Sequence, residues 1–83
     1  MADHDEWLQA TLDSNSRFGL AEAIEIHTDA GNPERDRLLR ILRSGRDELL
    51  LSRPQAEIVL QALNVDRRLS ALRARLEAFL GLR

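Results

Sequence analysis

The stretch IVLQALNVDRRLSALRARLEAF, residues 58–79, decides the fold that the sequence predicts. Its apolar residues fall at Ile58, Ala62, Val65, Leu69, Leu72, Leu76 and Phe79, in alternating steps of four and three. Such spacing keeps one stripe of a helix turned toward a neighbouring helix. No other part of the chain is as regular, and the pattern points to packing rather than to chemistry.

The stripe has three possible partners. With Ala62, Leu69 and Leu76 at heptad position a, Arg68 and Arg75 fall at g and Arg73 at e. A parallel dimer would set Arg68 of one chain against Arg73 of the other, which is unfavourable. An antiparallel pair would place Asp66 opposite Arg73. The third partner is the chain's own Leu38–Leu42 helix, and the flanking Val59, Leu60 and Leu63 make the stripe wide enough for it. A core role is preferred, and an interface with a second chain is the alternative. As an interface, the candidate protein-binding residues are Ile58, Val65, Leu69, Leu72, Leu76 and Phe79.

Upstream of the stripe, Ser52-Arg53-Pro54-Gln55 carries a capping box, with proline in the first turn of the helix it opens. That helix is predicted to run from about Arg53 through Leu63. Asn64-Val65-Asp66 then offers either a turn, with Asp66 capping a last helix, or a simple continuation. Gly81 is expected to end the last helix near Leu80.

Asn32-Pro33-Glu34 is a second start signal, followed by the inward-facing Leu38, Leu39, Ile41 and Leu42. Gly45 is expected to stop this helix, although Leu38, Leu42, Gly45 and Leu49 also keep heptad spacing. Residues 17–30 admit helix or strand. Leu20, Ala23, Ile24 and His27 share a helical face, and Gly31 stands where a C-cap would, so helix is preferred. Asp13-Ser14-Asn15-Ser16 reads as a break. A first helix is predicted from Asp3, with Glu6 completing a capping box and Trp7, Leu8, Thr11 and Leu12 along one face. Trp7 is assigned as its core anchor, with an interface hot spot as the alternative.

Together these elements predict an all-α single domain over residues 1–83. It comprises three to five short helices, ending in a helical hairpin or one long heptad-patterned helix. A chain of this length buries only about 60–65% of its unfolded surface, so its core is thin. With no cysteine, neither a disulfide nor a thiolate metal site can reinforce it, which leaves a second chain or a docking partner.

Charge is segregated. Nine of the fourteen acids lie within residues 1–36, beside only Arg17 and Arg35, whereas ten arginines and five acids follow from Arg37 onward. All twelve basic residues are arginine. A GC-rich coding sequence accounts for that, and the planar guanidinium also suits interfaces and phosphates. The longest apolar runs, Leu49–Leu51 and Ile58–Leu60, are far too short to span a bilayer. The acidic Asp3-His4-Asp5-Glu6 is unlike a signal peptide. A cytoplasmic protein is expected.

Catalysis has little to stand on. Cysteine and tyrosine are absent, His4 and His27 are far apart, and no phosphate-cradling loop or nucleophile elbow is present. No metal-ligand spacing occurs, and no cofactor is expected. Residues 54–77 do resemble the start of a repressor-type helix-turn-helix: a capped helix, Leu63-Asn64-Val65 at the turn, and a following helix with Arg67, Arg68, Arg73 and Arg75. The pattern departs at Ser70, where an apolar residue is expected, and at Leu60, where a small one is. The sequence therefore predicts a non-catalytic protein-binding module, a homodimer or partner-docked adaptor, inhibitor or accessory factor of a kind common in bacteria and phages. A nucleic-acid-binding regulator using those four arginines is the alternative.

Overall fold

A computed structural model describes residues 7–82. The chain runs β1 (Trp7–Thr11), α1 (Ser14–His27), α2 (Pro33–Leu42), β2 (Glu48–Ser52), α3 (Arg53–Val65) and α4 (Ser70–Phe79). The all-α expectation is overturned: the fold is α+β, four helices around a two-stranded antiparallel sheet.

The sheet replaces the predicted first helix and the apolar run after Gly45. β1 pairs with β2 from Trp7 opposite Ser52 through Thr11 opposite Glu48. Leu8 and Ala10 face inward from β1, and Leu49 and Leu51 from β2. Trp7, assigned as a core anchor, is instead 48% exposed on the outer face. The proposed cap at Asp3 and Glu6 lies outside the described residues. Leucine and alanine favour helices when judged locally, but pairing with a strand some forty residues away overrides that preference.

The helices begin where side chains can satisfy their first amides. Asp13 accepts from the Ser16 N–H at 2.8 Å, so the polar run read as a break is in fact the start of α1. This bond holds the Asp13 carboxyl below its ordinary pKa. Asn32 caps α2 through the Glu34 N–H at 2.9 Å. At α3 the full capping box is present, with Gln55 N–H donating to Ser52 Oγ and Ser52 N–H to Gln55 Oε1.

Helix ends sharpen the sequence reading in three places. The segment 17–30 is helical, but α1 stops at His27, before Gly31. Thr28 takes the cap by donating to the Ile24 carbonyl, and Arg35 donates to Thr28 Oγ1 and to the Glu25 carbonyl. α2 ends at Leu42, ahead of Gly45, which sits at φ +90° in the connection to β2. The 58–79 stripe is two helices. Asn64 lies within α3 and Asp66 forms its C-cap. α4 starts after Leu69, which occupies the left-handed region at φ 60° and ψ 49°.

All six elements feed one core. Its fully buried side chains include Leu20 and Ile24 of α1, Leu38 and Leu42 of α2, Leu49 and Leu51 of β2, Val59 and Leu63 of α3, and Leu76 of α4. α1 packs on α3, and the inner face of the sheet closes over the same core.

Candidate protein-docking edge

The structure divides the sequence-predicted stripe between core and surface. Ile58, Leu72 and Leu76 are buried, Leu69 and Phe79 pack half-buried against the core, and Val65 is 62% exposed. Phe79 also lies 5.7 Å from the Arg53 guanidinium, which donates to the Phe79 and Leu80 carbonyls at the end of α4. These six residues do not form one surface.

Of the four arginines in the nucleic-acid alternative, three are held by the chain itself. Arg68 donates to Asp66 at 2.8 Å, Arg73 reaches Asn64 and Glu77, and Arg75 donates to the Gln9 carbonyl. The Arg68 contact lowers the Asp66 pKa and raises its own. Arg67 is exposed. The turn expected at Leu63–Val65 is helical, and the connection falls at residues 66–69 instead.

A different surface emerges from the backbone of the sheet. Leu12 N–H donates to the Asp47 carbonyl at 2.8 Å, one step beyond the paired strands and in the same register. Antiparallel ladders alternate, so Leu8, Ala10, Leu49 and Leu51 turn their N–H and C=O groups across the ladder. Glu48, Leu50 and Ser52 turn theirs outward, away from β1.

The β1 edge is covered in part. On β1, the outward carbonyl of Gln9 accepts from Arg75, and α4 lies alongside. On β2, Ser52 is engaged at both groups: its N–H donates to Gln55 at 3.1 Å, and its carbonyl heads α3. No hydrogen bond to the outward groups of Glu48 and Leu50 occurs among the described residues.

Beside this edge runs a groove lined by Arg40, Ile41, Ser44, Arg46, Glu48 and Leu50. Leu50 is 54% exposed and lies diagonally across the ladder from Trp7, so the outer face carries a large apolar pair.

In the sequence the edge was visible only as Leu49-Leu50-Leu51, where an outward leucine hides the alternation. The polar Gln9 and Thr11 between Leu8, Ala10 and Leu12 were the better strand signal. No group of three or more potential metal ligands occurs among the described residues. No described helix is long and apolar enough to cross a membrane. No family model, curated protein or solved structure matches this chain.

Proposed function

We propose that this protein is a non-catalytic protein-binding module, a cytoplasmic adaptor, inhibitor or accessory factor, whose docking element is the free edge of β2. The observation that carries this reading is the pair of outward N–H and C=O groups on Glu48 and Leu50, next to an exposed apolar face. An edge strand with unmet backbone groups is a template for another extended segment. In such docking the main chain supplies affinity and the neighbouring side chains supply selectivity. Here Ile41 and Leu50 are the apolar contacts, and Arg40 and Arg46 the charged rim.

Selection of displayed random peptides, with wild type and Glu48→Pro as paired baits, tests the reading. Proline is tolerated as the first residue of a strand and removes an N–H that the internal ladder does not use. Peptides held by wild type are expected to be lost on Glu48→Pro and to shift the Glu48 and Leu50 amide resonances. Peptides that bind both baits equally, or that shift only helix resonances, refute the docking edge.

A further inference from the structure

We infer that the occupant of the β2 edge is a second copy of this chain, joined β2 to β2 in antiparallel fashion about a two-fold axis beside Leu49. The inference rests on the docking reading above and names its partner. It would turn two two-stranded sheets into one of four strands.

If Glu48 and Leu50 are to pair with themselves or with each other, alternation places the axis at Leu50, Glu48 or Leu49. At Leu50, Glu48 would face the second copy's Ser52, whose N–H and carbonyl are already taken by the α3 cap. At Glu48, two carboxylates would face each other directly, and Leu50 would have to pair with Arg46, which lies outside the strand. At Leu49, Glu48 faces the second copy's Leu50 and Leu50 faces its Glu48. Each pair exchanges two bonds, so the outward groups of Glu48 and Leu50 are satisfied in both copies and no engaged group is disturbed. The edge is self-complementary in this register alone.

Side chains agree with this placement. The two Leu50 side chains become diagonal neighbours on the outer face, within reach of each other. With Trp7 of each copy, already diagonal to its own Leu50, they make one continuous apolar strip. The partner strand fills the groove over Ile41. The two Glu48 carboxylates are also diagonal, a mild repulsion that salt screens, so the dimer is expected to persist or tighten at high salt.

Sedimentation across a concentration series, with circular dichroism to confirm folding, tests the register through a charge exchange. Leu50→Glu places a carboxylate opposite the second copy's Glu48 and is expected to loosen the wild-type dimer by about tenfold or more. Adding Glu48→Lys to that variant sets lysine opposite glutamate at both pairs, and should restore affinity to within about threefold of wild type. In the other two registers like would still face like, and no rescue follows. Glu48→Pro, which leaves the internal ladder intact, should also loosen the dimer. A wild type monomeric at all concentrations overturns the inference, as does a dimer indifferent to these changes or one loosened by Leu50→Glu but not rescued. A monomer that still captures peptides in a Glu48→Pro-sensitive way overturns self-pairing while leaving the docking edge standing.

Discussion

Nη1 of Arg17 donates to Oδ1 of Asp47 at 2.9 Å, joining the first turns of α1 to the residue before β2. The Arg17 side chain is only 4% exposed, whereas Asp47 is largely open to water. Arg17 Nη2 donates to Ser14, its Nε is buried without a partner, and the Asp47 carbonyl accepts from Leu12. One ion pair therefore ties α1 to the end of the sheet opposite the α3 cap.

Removing the acid leaves a buried guanidinium without its counter-charge, whereas removing the arginine leaves an exposed carboxylate that water solvates. Asp47→Asn is expected to cost about 1–2 kcal/mol in urea unfolding. Arg17→Met keeps most of the volume and eliminates the unsatisfied Nε, so it should lie within about 1 kcal/mol of wild type. An Arg17→Met variant less stable than Asp47→Asn would contradict this account.

Val65 and Leu76 both belong to the heptad stripe but hold opposite places in the fold. Leu76 has no exposed surface, and Leu76→Ala should cost about 2–5 kcal/mol. Val65 faces solvent, and Val65→Ala should stay within about 0.5 kcal/mol. Thermal unfolding of the two variants separates a broken stripe from a continuous one, for which both would be costly.

Leu69 is the single described non-glycine residue with positive φ, a conformation costing about 1–2 kcal/mol for a residue with a Cβ. Its side chain packs half-buried on the core and offsets that strain. Leu69→Ala loses the packing and keeps the strain; Leu69→Gly loses both. The glycine variant should therefore be the more stable of the two by about 1 kcal/mol, the reverse of their order within a helix.

A Cβ at Gly19 would lie 2.6 Å from Nη1 of Arg68, the mobile end of an exposed side chain. Gly19→Ala should displace that arginine and still gain stability, a few tenths to about 1 kcal/mol, because alanine is the better helix former. The hydrogen bond from Arg68 holds the Asp66 carboxyl below its ordinary pKa. Its contribution is thus present above the unfolded-state pKa and lost as pH falls through the lower folded-state value. In Gly19→Ala the Asp66 pKa should rise toward the ordinary carboxylate range by NMR titration. The variant's advantage over wild type should grow on acidification.

The signals that could be read directly were local ones. Asn32-Pro33 and the Ser52–Gln55 capping box each act within four residues, and α2 and α3 start where they stand. The helical face of Leu20, Ala23 and Ile24 also appears as α1. The heptad stripe left a hairpin and a continuous helix both open, because its spacing is compatible with two helices that share a core as well as with one that runs through. What separates them is Leu69, whose left-handed backbone leaves no mark in an otherwise helical pattern.

By itself, then, the sequence determined a cysteine-free chain with capped helices, a thin core and no membrane-spanning run, because composition and capping act at short range. Tertiary structure alone decided the sheet. Trp7–Thr11 and Glu48–Ser52 carry residues that could be helical, and they become strands because each supplies the other's hydrogen bonds across some forty residues. The same pairing turned the backbone of Glu48 and Leu50 outward, so the edge proposed for docking forms only once the register is set. A side-chain pattern records which face is apolar, but not which main-chain groups a distant partner leaves unmet.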